Sequence, residues 1–310
     1  MPVKIDETLP AVEQLKKENI FVMGERRAST QDIRPLRIAV LNLMPIKIMA
    51  ETDLLRLLSN TPLQIELDLI DTGAHDSRNT PEEHIAAFYK RFDEIEQNYY
   101  DGFIVTGAPV ERLKFEDVDY WQRLTEIFDW ARTHATSTLY ICWAAFAAMY
   151  HFYGIDKVML DEKISGVFRH RCTDPLNPLL RGFDDTFHVP HSRYATVDPS
   201  DIEACEGLEI LAESPESGVY IVMGRDGREF FITGHSEYSP MTLDFEYRRD
   251  LEKGINPKVP CNYYPDDNPA NTPSVKWRSH ANLLFSNWLN YYVYQQTPFN
   301  LSDLALMKNI

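Results

Sequence analysis

Cysteine is scarce in this chain, with only Cys142, Cys172, Cys205 and Cys261 among 310 residues. Their spacings form no zinc or dithiol pair, and a chain this long needs no disulfides to hold a core, so no metal site is expected. Long apolar runs are missing too: nowhere do about 18 apolar residues follow one another, so no membrane span is expected. The start, MPVKIDETLP, lacks the apolar stretch of a signal peptide. These absences together point to a reduced, cytoplasmic protein. Positive charge is also short, with 31 Lys and Arg against 47 Asp and Glu and a net charge of −16. Such a surface repels phosphate backbones and anionic lipids, which excludes nucleic acid as an expected partner. Repeats and low-complexity segments are absent. Aromatic residues make up 12% of the chain, which argues against disorder.

What is present has a clear order. Residues 1–35 read as an N-terminal arm with a short helix near 10–18 and a polar stretch, RRASTQD. Residues 36–298 read as a single α/β domain, and 299–310 as a tail. RPLRIAVLNLM (34–44) is a near-continuous apolar run, the pattern of a strand buried on both faces. IKIMAETDLLRLLSN (46–60) has helical spacing, and QIELDLID (64–71) alternates as a strand. PEEHIAAFYKRFDEIEQ (81–97) opens with Pro and acids and predicts one helix. DGFIVTGAP (101–109) predicts a buried strand and a turn, 117–135 a helix, STLYIC (137–142) a strand, and 143–154 a helix closed by Gly154. This alternation implies a parallel sheet with helices on both faces, and ligands at the carboxyl ends of its strands. The second half is mixed: shorter strands at 163–172, 185–197, 218–225 and 229–239, with RDG at 225–227 as a hairpin turn. A helix follows over 241–254, then a Pro/Asn/Asp loop at 263–273 and a long amphipathic helix over 274–296.

Three points sit at strand ends: Met44–Lys47, Thr106–Glu111 and Cys142. A thiol between a buried strand and a helix N-terminus lies at the positive end of the macrodipole, which favours the thiolate. The small residues Ala144, Ala145, Ala147 and Ala148 let that helix approach the sheet. Taken alone, such a cysteine is more often a core residue. His235 adds a second observation. It follows the strand EFFIT in GHSEYS, and if that segment stays extended, His235 and Glu237 point to the same face. A nucleophile, a base and an orienting acid are the parts of an acyl-transfer triad.

Several long blocks in one order carry a resemblance: LNLMPIKIMAETDLLRLLSNTPLQIEL (41–67), VTGAPVE (105–111), YICWAA (140–145), VFRHR (167–171), VPHSRY (189–194), GHSEY (234–238) and NWLNYYVYQ (287–295). On these the chain resembles the homoserine O-acyltransferases of the type related to class I glutamine amidotransferases. The resemblance implies a flavodoxin-like, class I glutamine amidotransferase-like parallel sheet flanked by helices, with short mixed strands in the second half. It implies a ping-pong reaction through an acyl-thioester on Cys142, with His235 as base and Glu237 orienting it. The partners it implies are L-homoserine and acetyl-CoA as co-substrates, with no bound cofactor, and a homodimer. The product, O-acetyl-L-homoserine, would feed methionine biosynthesis.

Further residues carry over by position. Lys47, Lys163, Ser192, Glu246 and Arg249 resemble the family's substrate-binding set, with Arg249 on the amino-acid carboxylate and Glu246 on the ammonium. Backbone amides at Trp143, Gly107 and Ala108 are the oxyanion candidates. Glu111 bears on the donor: in the family a Gly there goes with succinyl-CoA and a Glu with acetyl-CoA, because glutamate fills space and repels a succinyl carboxylate. One position departs from the pattern: Phe146 stands where the family has Gln. The alternatives are a succinyl-specific enzyme of the same family, a glutamine amidotransferase-like amidase, and a binding module. Amidotransferases read G-x-C-x-G around the nucleophile, whereas this chain reads Tyr140-Ile-Cys-Trp-Ala. An inactive binding relative would be expected to lose Cys, His or Glu, and all three are present.

Overall fold

The computed structural model describes residues 3–4, 6, 8–18, 34–73, 80–298 and 301. Most of the predicted N-terminal arm, including RRASTQD, and all of the predicted tail except residue 301 lie outside them. The strands are β1 (Val3–Lys4), β2 (Leu36–Leu41), β3 (Ile65–Asp71), β4 (Tyr89–Arg91), β5 (Tyr100–Val105), β6 (Ala135–Ile141), β7 (Val158–Cys172), β8 (Thr186–Thr196), β9 (Leu208–Ser214), β10 (Gly218–Gly224) and β11 (Glu229–Ile232). The helices are α1 (Pro10–Lys17), α2 (Lys47–Leu58), α3 (Glu82–Phe88), α4 (Phe92–Ile95), α5 (Trp121–His134), α6 (Trp143–Tyr153), α7 (Pro199–Glu203), α8 (Thr242–Glu252) and α9 (Arg278–Asn287).

All the strands join one sheet in the order β1-β3-β2-β5-β6-β11-β10-β9-β7-β8, with β4 added to β3. From β1 to β6 the pairings are parallel, and β11 extends this by pairing parallel with β6. Beyond β11 every pairing is antiparallel. A seam between the parallel and antiparallel parts of the sheet therefore lies between β11 and β10, one strand away from β6. The apolar run of β2 divides between two cores: Leu36, Ile38 and Val40 face one layer, Ala39 and Leu41 the other. On the first side pack Leu54 and Leu58 of α2 and Leu284 of α9; on the second pack Leu124 and Phe128 of α5 and the alanines of α6. Burial on both faces is why the parallel strands read as continuous hydrophobic stretches.

Where structure and sequence pattern part, tertiary contacts explain it. The single helix expected over 81–97 is split into α3 and α4 by β4. Tyr89 in β4 donates a hydrogen bond to Glu51 at 2.6 Å and accepts one from Asn42 at 2.8 Å, which draws the chain into an extended link beside β3. β7 begins at Val158, earlier than the expected 163, and β9 was not foreseen. The strand expected over 229–239 stops at Ile232. The RDG turn does join antiparallel β10 and β11, with Arg225, Asp226 and Gly227 all at positive φ. The expected helix over 274–296 starts at Arg278 and continues past α9 as a π-helical segment, Trp288–Tyr294. No helix among the described residues is long and apolar enough to cross a membrane.

Close packing in the sheet centre makes one stability prediction. A Cβ on Gly102 in β5 would lie 2.8 Å from Ile38 Cδ1 and 2.8 Å from Trp288 Cη2. Gly102→Ala forces both neighbours to shift and is expected to destabilise the protein by about 1–3 kcal/mol, read by urea denaturation.

Candidate active site

Cys142 lies between β6 and α6 with φ 52° and ψ −115°. A non-glycine residue there stores strain of about 1–3 kcal/mol and persists only where its surroundings fix it. They do so here. Its N–H donates to Ile232 O at 2.6 Å, extending the β6–β11 ladder by one rung, and its carbonyl accepts from Ala145 N at 3.0 Å. Ala144, Ala145, Ala147 and Ala148 are fully buried, so α6 seats close against the sheet. The side chain is thereby held at the strand end, where it is buried.

The candidate base, His235, follows the neighbouring strand β11. Past Ile232 the chain bends, and the Tyr238 N–H donates to His235 O at 3.2 Å. The extended geometry expected for His235 and Glu237 is therefore replaced by a turn. The turn still brings the pair together: His235 Nδ1–H donates to Glu237 Oε1 at 2.6 Å. The imidazole is enclosed and within hydrogen-bonding reach of the Cys142 side chain. Burial opposes its charged form, but the negative charges of Cys142 and Glu237 outweigh burial and raise its pKa well above the usual value. With Nδ1 held by the carboxylate, Nε2 is the nitrogen left for chemistry.

Gly107 covers Cys142. A Cβ there would stand 3.2 Å from Cys142 Cβ and 3.7 Å from Trp143 N. The Trp143 amide is the first of its helix, one of the N–H groups a helix leaves without an internal partner. Gly107 and Trp143 thus meet beside the thiol, and Ala108 follows, buried, in the same turn. Glu111 comes after that turn and is half-buried. Arg112 next to it lies over the Tyr194 ring at 4.2 Å, which pins this loop against β8.

The structure gathers most of the remaining expected residues around one carboxylate. Ser165 pairs with Ser192 between β7 and β8, which sets Lys163 and Ser192 on neighbouring strands. Glu246 of α8 accepts from Ser192 Oγ and, at 3.2 Å, from Lys163 Nζ. Lys163 also approaches Asp250 at 3.6 Å, and Arg249 pairs with Asp250 at 2.7 Å with half of its side chain exposed. Lys47 goes elsewhere. It is buried at the start of α2, where its ammonium donates to Asn42 O and pairs with Asp71 at 3.2 Å. Burial lowers its pKa, and Asp71 opposes that shift.

Two neighbours of the site were not singled out from sequence. Tyr238 stacks on His235, with ring centroids 4.1 Å apart and planes 17° apart. Arg193 is enclosed behind the site, donating to the carbonyls of Ala195 and Ser217 and to His191 Nδ1 at 3.3 Å. Burial lowers its pKa to about 10, and Cys142 is the charge that favours its protonated form. Its guanidinium lies 5.9 Å from the centroid of Phe146, the residue that departs from the family pattern. His191 in turn meets His170 Nε2 at 3.1 Å, and burial lowers the pKa of both histidines. Both residues lie within the quoted blocks GHSEY and VPHSRY, but side-chain stacking and burial leave no spacing signature.

An elbow cysteine beside an acid-oriented histidine, with the Gly107 turn and the first amide of α6 next to it, is a set of groups suited to acyl transfer. The fold is shared with a glutamine amidotransferase from Thermotoga maritima, 13% identical, with a TM-score of 0.55 over 84% of this chain and 100% of that one. The profile of the homoserine O-succinyltransferase family matches residues 2–299. A homoserine O-acetyltransferase of Bacteroides fragilis is 60% identical over 98% of this chain and 100% of its own. One of Parabacteroides distasonis is 62% identical over the whole of both chains. This chain belongs to the homoserine O-acyltransferase family, and the protein is an acyltransferase.

Proposed function

We propose that the protein transfers an acetyl group from acetyl-CoA to the hydroxyl of L-homoserine, supplying O-acetyl-L-homoserine for methionine biosynthesis. The observation that carries this reading is the Cys142–His235–Glu237 arrangement at the seam of the sheet, in a chain of this family. His235 takes the thiol proton of Cys142, leaving a thiolate and an imidazolium. The thiolate attacks the acetyl carbonyl, and the oxyanion is received by the amides of Trp143 and the Gly107–Ala108 turn. The C–S bond to CoA breaks, and the departing thiolate takes the imidazolium proton. Neutral His235 then removes the homoserine hydroxyl proton, and the oxygen attacks the Cys142 thioester. Cys142 leaves as thiolate beside a recharged imidazolium, and the cycle closes. Each half-reaction is an acyl exchange easier than direct transfer.

The acceptor reading places the homoserine carboxylate on Arg249, whose guanidinium is half-exposed and planar. Glu246, with Lys163 and Ser192, would receive the ammonium. Lys47 has a supporting role at the β2 end, through Asn42. Asn42 Oδ1 lies 3.4 Å from Thr106 Oγ1, and Thr106 precedes Gly107.

The donor rests on Glu111. A carboxylate in that loop disfavours the free carboxylate of succinyl-CoA by like-charge contact and by volume. Initial rates with homoserine and each donor test it: acetyl-CoA is expected to give at least about tenfold higher kcat/KM, and Glu111→Gly is expected to narrow the gap. Faster turnover of the native protein with succinyl-CoA defeats the donor assignment and leaves the acyl-transfer reading standing.

A further inference from the structure

We propose that Tyr238 is a positioning residue that joins the base to the acceptor site: its ring fixes the plane of the His235 imidazole and its hydroxyl fixes the Glu246 carboxylate. This rests on the thioester reading above. Two independent contacts support it. On one side the phenol ring lies against the imidazole, with centroids 4.1 Å apart and planes 17° apart. On the other side its hydroxyl donates to Glu246 Oε1 at 3.0 Å. One rigid side chain therefore touches both groups.

Tyr238 is itself held. Its carbonyl accepts from Trp277 Nε1 at 3.0 Å, its N–H donates to His235 O at 3.2 Å, and it is 8% exposed. Glu237 fixes one nitrogen of the imidazole but leaves rotation about that hydrogen bond; the stacked ring removes it. An aromatic face also attracts a cation, so the stack favours imidazolium over imidazole. Burial, first, and the Glu246 charge keep the phenol protonated, so it remains a donor at working pH.

At Glu246 the effect is on geometry. Ser192 and Lys163 donate to Oε2 and Tyr238 to Oε1. A carboxylate offers about four acceptor positions. Three are filled, so the free one is directed by the other three, and the Tyr238 hydroxyl decides which way Oε1 faces an incoming ammonium.

The half-reactions separate the two contacts. Acetylation of the full-length protein by acetyl-CoA is followed by rapid mixing and CoA release, and the acceptor step by adding homoserine to acetylated protein. Tyr238→Phe keeps the ring and loses the hydroxyl: acetylation is expected within about twofold of native, with the homoserine KM raised about tenfold. Tyr238→Leu loses the ring: acetylation is expected to slow about tenfold, with its alkaline limb moved to lower pH. Equal losses in both half-reactions for both variants, with unmoved pH profiles, mean a structural role only and overturn the proposal. An unchanged homoserine KM in Tyr238→Phe overturns it as well. A native protein that forms no thioester removes the reading beneath it, and that result is seen before any variant is made.

Discussion

On the proposed thioester route acetyl-CoA is expected to add one acetyl group to the native protein, and Cys142→Ala is expected to abolish that mass gain and to lower turnover by about 10,000-fold or more. The expectation follows from what the substitution leaves intact. Alanine keeps the Cβ, so the strained elbow at φ 52° is as accessible to it as to cysteine. The N–H to Ile232 and the carbonyl to Ala145 are backbone groups and remain. Only the nucleophile is lost, and no neighbouring group can replace it. Intact-protein mass spectrometry reads the adduct and a coupled assay reads the rate. Full acetylation of the variant at another residue would sink the assignment of Cys142. Cys142→Ser is a stricter companion, since a hydroxyl has the position but not the acidity of a thiol.

Glu237→Gln is expected to lower kcat by about 1,000- to 10,000-fold while leaving the fold unchanged. The amide can accept from Nδ1–H, but it can also turn and donate, which stabilises the wrong tautomer. Charge adds a second effect with a defined sign. Burial works against the His235 proton, and the charges of Cys142 and Glu237 raise its pKa above the usual value. Removing the Glu237 charge lets that pKa fall. On the proposed route the imidazolium that would protonate the departing CoA thiolate is then lost at lower pH, so the alkaline limb of the acetylation profile is expected to move to lower pH. The folded-state shift has the same sign: stability from charged His235 is present below its usual pKa and declines as pH rises through the raised one. A basic limb that stays in place, or moves to higher pH, contradicts this account of His235.

The parallel half of the sheet was legible because its chemistry is local. β2 reads as a near-continuous apolar run and β5 and β6 end in apolar residues, and the turns after β5 and β6 mark the strand ends where Gly107 and Cys142 sit. β9 was not legible: in Leu208–Ser214 Glu209 interrupts the apolar residues and Glu213–Ser214 ends them, so the segment shows no sustained alternation until its neighbours are in place. The break of the 81–97 helix depends on Tyr89 reaching Glu51, 38 residues earlier. The i, i+2 spacing points to His235 and Glu237 as a pair, but a turn and not an extended strand brings them together. Tyr238 and Arg193 belong to the site through stacking and burial, which no spacing records. The joining of Lys163, Ser192 and Glu246 came from resemblance, because three elements far apart in sequence meet there.

The neighbouring strands β6 and β11, at the edge of the seam, have a consequence for how the two substrates are told apart. On the proposed reading, the donor meets the loop after β5, with Gly107 and Glu111, and the acceptor meets Lys163, Ser192, Glu246 and Arg249 from β7, β8 and α8. The first set lies N-terminal to Cys142 and the second C-terminal to it. Selectivity for the acyl group and selectivity for the amino acid are thus inherited through separate stretches of chain. Each can drift under its own pressure while the nucleophile and base, one strand apart, stay fixed between them.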